Sequence, residues 1–234
     1  MSHPAAAEHE LPESARAALA ALVELVASDP SAPSSVRDPG AAWRIHVADS
    51  LTGLEVEGLR KARSIADVGA GAGFPGLPLA IALPGARVDL IEARTRKCEF
   101  IESAIAATAV GNARVVCGRS EEWAGEGEPR GGRDAYEAVT ARAVGRLATI
   151  AELASPLLVD DGVLVAWKGR RDPAEEAEME RASGRLGMGL EEVRWVGPYA
   201  GSRNRHLHIL RKTGPTPPEL PRRPGMAKKR ALGT

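Results

Sequence analysis

Hydrophobic positions in this chain change period near residue 60. Before it, Leu19, Leu22, Val23, Leu25 and Val26 recur among alanines at helical spacing after Pro12. A loop rich in Pro and Ser follows over residues 29–40, and a second helix is expected over 41–51. These two helices read as an N-terminal helical extension, residues 1–60. After it, short apolar runs at 64–68, 87–91, 114–117, 135–141 and 162–168 alternate with helical segments at 77–83, 95–110 and 146–158. Strands alternating with helical crossovers predict an α/β domain, a mostly parallel sheet with helices on both faces, over residues 61–212. A charged helix at 175–186 and two close strands at 191–196 and 206–211 extend it, the strands as an antiparallel pair. Residues 213–234 read as a basic C-terminal tail.

The most informative stretch joins the first strand to the first crossover helix. From Asp67 to Gly76 it reads Asp-Val-Gly-Ala-Gly-Ala-Gly-Phe-Pro-Gly. Gly69, Gly71 and Gly73 permit positive φ and let a ligand approach the backbone without meeting a Cβ. Such a turn ahead of a helix N-terminus holds a nucleotide-like ligand. Gly71, Gly73 and Gly76 also satisfy the spacing of dinucleotide-binding folds, so an NAD-dependent oxidoreductase competes. Glu92 closes the second strand, where a carboxylate binds a ribose hydroxyl in such folds; it suits the ribose of S-adenosylmethionine equally well. Asp67 ahead of the glycines tilts the choice. A carboxylate there is expected to suit a ligand bearing a sulfonium and an amino group, and suits a pyrophosphate poorly.

Charge adds a second clue. The chain is neutral, with 31 basic and 31 acidic residues. Yet between Arg211 and Arg230 seven basic residues meet only Glu219, so this segment is +6 and the remainder −6. A basic arm on an acidic body suits a polyanion, with Arg222, Arg223, Lys228, Lys229 and Arg230 as the candidate RNA contacts and Arg203 and Arg205 as possible additions. Cys98 and Cys117 fit no metal-ligand pattern, and the expectation is two buried thiols with no disulfide and no metal. No apolar run approaches membrane-spanning length, and residues 1–10 lack the layout of a secretory signal, so a cytoplasmic protein without a membrane partner is expected. Aromatics are only 3% of residues, which leaves the core to Val, Leu, Ile and Ala. His206 and His208 share one face of a strand with no third ligand and read as structural. His46 and Asp49 read either as a local pair on the second helix or as contacts to RNA or cofactor.

Several segments together resemble one family. They are residues 43–51 (Trp-Arg-Ile-His-Val-Ala-Asp-Ser-Leu), 67–78, 90–93 with Arg96 and Lys97, 118–122 (Gly-Arg-Ser-Glu-Glu), 141–143 (Ala-Arg-Ala), 167–169 (Trp-Lys-Gly) and 220–225 (Leu-Pro-Arg-Arg-Pro-Gly). In this order they resemble the RsmG or GidB family, bacterial guanine-N7 methyltransferases of small-subunit (16S) ribosomal RNA. The resemblance covers about four-fifths of the chain. It implies a class I methyltransferase fold with a seven-stranded sheet, S-adenosylmethionine as methyl donor, and a guanine near the decoding centre, in 16S rRNA or the small subunit, as acceptor. Carried over by position, the family's cofactor contacts fall on Gly69, Phe74, Ser120, Glu121 and Arg142; Ser120 reads as a helix N-cap placed near the adenine. In the tail, Gly225-Met226-Ala227-Lys228 stands where the family usually has a second proline.

Arg142 is the residue expected to be catalytic. It ends a strand at the active-site edge, and its guanidinium donors match the O6 edge of guanine or a phosphate. Guanine N7 carries a lone pair and no proton, so the implied reaction needs placement and no general base. A monomer is expected. The non-enzymatic alternative is an RNA-binding or ribosome-assembly factor that keeps the fold without turnover.

Overall fold

A computed structural model describes residues 11–233; the opening decapeptide, read above for signal layout, lies outside the described residues. Helix α1 (Glu13–Ser28) is the first described element, followed by α2 (Pro39–Ala42), a π-helical segment (Trp43–Ala48), α3 (Asp49–Leu51), a 3-10 turn (Thr52–Glu55) and α4 (Glu57–Lys61). The single helix expected over 41–51 is therefore composite, with its middle wound as a π-helix.

Seven strands follow: β1 (Ser64–Val68), β2 (Arg87–Glu92), β3 (Ala113–Cys117), β4 (Tyr136–Arg142), β5 (Leu158–Lys168), β6 (Met188–Trp195) and β7 (His206–Lys212). They form one sheet in the order β3-β2-β1-β4-β5-β7-β6. β1 to β5 pair in parallel, whereas β7 is antiparallel to both β5 and β6. The connecting helices are α5 (Gly76–Ala82), α6 (Thr95–Thr108), α7 (Ser120–Trp123), α8 (Leu147–Ala154) and α9 (Pro173–Leu186), with α10 (Met226–Lys229) in the tail.

The period-two alternation of each strand divides the core. Ile65, Val88, Leu90, Val163 and Val165 point to one face, where they meet Leu19 and Leu22 of α1, Leu77 and Leu79 of α5 and Ile101 of α6. Ala66, Val68, Val139, Leu164 and Ala166 point to the other, against Leu147 and Ile150 of α8 and Met179 of α9. Both faces are covered, which is why the central strands read as continuous apolar runs. Tail residues Leu220, Ala227 and Leu232 are buried in the second of these cores. The basic segment is thus anchored onto α8, and Thr149 Oγ1 donates to the Ala227 carbonyl at 3.2 Å.

One indole helps to fasten the N-terminal helices to the sheet. Trp167 Nε1, at the end of β5, donates to the Asp49 carbonyl at 2.8 Å. A Cβ added to Gly53 would lie 2.6 Å from the Trp167 ring, so the backbone must be bare where the indole docks.

The expectation for the cysteines fails. Cys98 in α6 and Cys117 at the end of β3 are joined as a disulfide, with Cα atoms 5.8 Å apart. Cys98 is buried, but Cys117 is exposed. Their spacing matches no short motif; a helix packed on its neighbouring strand brings them together.

Candidate functional site

The carboxyl ends of β1, β2, β4 and β5 open on one edge of the sheet, with Arg142 in register with Trp167. The glycine turn takes shape there. Gly69, Gly71 and Gly73 have φ of +71°, +63° and +88°, the left-handed values their sequence suggested. At Gly69 an added Cβ would lie 2.9 Å from Val144, whereas at Gly71 it would meet nothing closer than the Gly69 carbonyl at 3.7 Å. Gly69 is therefore bare for packing, and Gly71 leaves a surface open to a ligand.

Asp67 is placed differently from the expectation. It is 1% exposed. One carboxylate oxygen accepts from the Gly76 N–H at 2.9 Å and the other from the Thr140 hydroxyl at 2.9 Å. It ties the strand before the turn to Gly76 after it and to β4, and it lines none of the three cavities described below. Burial raises its carboxyl to about 6, against the lowering effect of those hydrogen bonds.

Glu92 accepts from the Gly71 N–H at 3.1 Å and from the Arg94 N–H at 3.0 Å. It lines a cavity of about 470 Å³ with Gly69, Lys97, Ser120 and Glu121. The N-cap of α7 is Arg119, with Ser120 as the first helical residue, so the expected Ser120 cap is corrected by one position. The tail supplies part of the wall: Gly225 and Lys228 line the same cavity, and the Gly225 N–H donates to Glu121 at 2.8 Å. Arg222 is spent elsewhere, in a bidentate pair with buried Glu152 at 2.6 and 2.5 Å. Arg223, Lys228, Lys229 and Arg230 have exposed side chains.

Phe74 carries a second cluster. The His46 ring stacks on it with centroids 4.7 Å apart, and the Arg142 guanidinium lies 5.5 Å from its centroid. Arg142 Nη1 donates to Asp49 Oδ2 at 3.0 Å, and its Nη2 lies 3.4 Å from His46 Nδ1. His46 and Asp49 thus close on Arg142 and not on each other. Burial and the neighbouring guanidinium pull His46 down to about 4. Burial also pulls Arg142 below the usual guanidinium value, a pull that Asp49 opposes. Arg205, weighed above only as an RNA contact, has its Nε 3.7 Å from Asp49 Oδ1.

The π-helical winding of residues 43–48 positions His46 and Asp49, and residue spacing gave no signal of it. His206 and His208 behave as expected, bonding the Gly169 carbonyl and Glu176 respectively. Lys168 pairs with Glu175 at 2.7 Å. Among the described residues no cluster of three metal-binding side chains is present. Nor is any described helix long and apolar enough to cross a membrane.

Comparison with solved structures places the fold. The chain superposes on the Methanococcus jannaschii fibrillarin pre-rRNA processing protein with a TM-score of 0.54 at 17% identity, over 71% of this chain and 74% of that one. Cofactor-bound Rv0187 from MTB gives a TM-score of 0.53 at 17% identity, over 86% of this chain and 89% of that one. The fold is that of the class I methyltransferases.

At the sequence level, a Ribosomal RNA small subunit methyltransferase G from Pelotomaculum thermopropionicum is 39% identical over 80% of this chain and 77% of its own length. One from Rubrobacter xylanophilus is 40% identical over 84% and 75%. Residues 31–198 match the profile of the GidB family, described as rRNA small subunit methyltransferase G, a span that holds the glycine turn, Glu92, the His46–Phe74–Arg142 cluster and Asp49. By that match and by these relatives, the chain belongs to the GidB family of small-subunit rRNA methyltransferases.

Proposed function

We propose that this protein transfers a methyl group from S-adenosylmethionine to N7 of a guanine in 16S ribosomal RNA, acting in the cytoplasm on the RNA or the small subunit. The observation that carries it is the meeting of three cavities at Ala143, which lines all of them. One holds Glu92, Ser120 and Glu121, a second the glycine turn with Phe74, and the third lies beyond Arg142. That layout suits an adenosine, a methionine end and an acceptor base around one point. The relatives' names supply the RNA.

The residues fit the cofactor. Gly71 is open where a Cβ would intrude, and Glu92 lines the first of these cavities. Glu92 would hold the ribose hydroxyls, Ser120 and Glu121 the adenine side, and the bare backbone at Gly69 and Gly71 the methionine end. S-adenosylmethionine, when bound, supplies a methyl on a positively charged sulfur.

Guanine N7 is already a lone pair, so no residue need remove a proton. What the protein contributes is alignment and exclusion of water. Arg142 is held rigidly by Asp49 and Phe74 at the boundary of the second and third cavities, where it can orient the acceptor base. The exposed cations Arg223, Lys228, Lys229 and Arg230 would meet phosphates, which position an RNA without choosing the base.

The test is incubation with unmodified small-subunit rRNA, as RNA and as assembled subunit, and labelled S-adenosylmethionine. Label should enter, and strand scission specific for N7-methylguanine should map it to one guanine. Label without scission would refute N7; no label in either substrate would refute the reading.

A further inference from the structure

The third cavity, about 230 Å³, is lined by Asp49, Arg142, Trp167, Lys168, Arg205 and His206. Two of its polar atoms are buried without a hydrogen-bond partner among the described residues, Asp49 Oδ1 and Arg205 Nε. Asp49 is 6% exposed, and its other oxygen is taken by Arg142. The two atoms lie 3.7 Å apart, an ion pair too long for a hydrogen bond, with an acceptor beside a donor. Buried polar atoms are almost always satisfied, so an adjacent pair with unmade hydrogen bonds, on two residues that line the cavity, points to a ligand that carries the complementary pair.

Guanine carries that pair on one edge. Its O6 accepts and the neighbouring N1–H donates; adenine reverses both, with a donating N6 amino group beside an accepting N1. We propose that Asp49 and Arg205 read the acceptor base, with Arg205 Nε donating to O6 and Asp49 Oδ1 accepting from N1–H. The inference rests on the reading of the site as a guanine-N7 methyltransferase centre and names what selects the base within it. With N7 held toward the methyl donor, the order along the edge is fixed, so adenine sets donor against donor and acceptor against acceptor. A site built to hydrogen-bond its substrate rejects such a mismatch by roughly 10⁴-fold or more, because its own buried groups are left unpaired. The exocyclic N2 amino group has no part in this pairing.

The experiment uses the full chain with small-subunit rRNA carrying guanine, inosine or adenine at the modified position, and reads kcat/KM with labelled S-adenosylmethionine. Wild type should methylate guanine and inosine within about 10-fold of each other and adenine roughly 10⁴-fold less. In Asp49→Asn the amide can rotate to offer a donor to adenine N1. Guanine should then fall 10-fold or more while adenine does not, narrowing the ratio, with cofactor affinity within about 3-fold of wild type. Arg205→Lys, which keeps the charge and loses the Nε donor, should narrow the ratio in the same way and stands if Asp49→Asn fails to fold. Equal losses on guanine and adenine in the folded variants would make Asp49 a mere support for Arg142 and overturn the inference. So would wild-type inosine falling as low as adenine. Absence of guanine methylation by wild type would instead remove the functional reading from which the inference starts.

Discussion

The imidazole of His46 lies nearly parallel to the ring of Phe74, at 17° and 4.7 Å between centroids. His46 belongs to the N-terminal helices and Phe74 to the glycine turn, so this stack seals one against the other beside Arg142. Its partners in the cluster are the Ser34 hydroxyl on Nε2 at 2.9 Å and the Arg142 guanidinium on Nδ1. Burial first, and then the Arg142 charge, disfavour a positive charge on the imidazole.

This placement sets a pH dependence. His46 titrates at about 4 in the folded protein, against about 6.5 when unfolded. Between those values the unfolded chain takes up a proton that the native state refuses, so stability falls as pH drops from about 6.5 to 4. Asp67, raised to about 6, acts oppositely: the native state keeps a proton the unfolded chain releases, so its contribution falls as pH rises from about 4 to 6. The two slopes oppose each other in their common window. His46→Gln removes one of them, and wild type should lose about 2–3 kcal/mol relative to this variant between pH 6.5 and 4. Urea unfolding at half-unit pH steps measures it; parallel curves would mean His46 charges freely.

Glu92→Gln should weaken S-adenosylmethionine by about 10-fold or more. The amide cannot accept on both sides, and one of the two N–H donors at Gly71 and Arg94 would face an amino group. Calorimetric titration of cofactor gives the affinity. An unchanged value would take Glu92 out of the pocket.

Gly53→Ala should cost about 1–3 kcal/mol, because the new methyl enters the space of the Trp167 indole. The indole would have to shift from the Asp49 carbonyl, so methyl transfer should fall with stability. A denaturation midpoint and an activity assay on the same sample separate the two effects.

In the tail, Arg222→Ala and Lys228→Ala should differ in kind. Arg222 is the partner of buried Glu152, and its loss strands a charge at a cost of about 3 kcal/mol. Lys228 is exposed, and its loss should leave stability unchanged while lowering the salt dependence of RNA binding by about one unit of log–log slope. A filter-binding salt series and a thermal melt of each variant decide it.

Reduction of the Cys98–Cys117 disulfide should lower stability by about 3 kcal/mol, the chain-entropy value for a loop of this length. Unfolding with and without reductant reads it. No difference would mean that the reduced chain keeps α6 and β3 together unaided.

The alternation of apolar runs made the sheet legible because central parallel strands are buried on both faces and have no polar period to confuse. The glycine turn and Glu92 were legible because backbone freedom and strand ends are local properties. Asp67 was misread for a physical reason: sequence shows a carboxylate at a loop but not that Thr140, one strand away, consumes it. Asp49 was half-read, since its link to Arg142 spans 93 residues and depends on a π-helical winding. The disulfide was missed on the same ground, as a contact made by packing and by no motif.

Gly225 and Lys228 line the cavity that holds Glu92, although the rest of its lining comes from residues before 154. A chain made from its N-terminus can complete all of the parallel strands before these two residues exist. A chain cut after β7 should therefore keep its strands and lose one wall of this cavity. The segment that closes this cavity is the same one that carries the exposed cations Arg223, Lys228, Lys229 and Arg230.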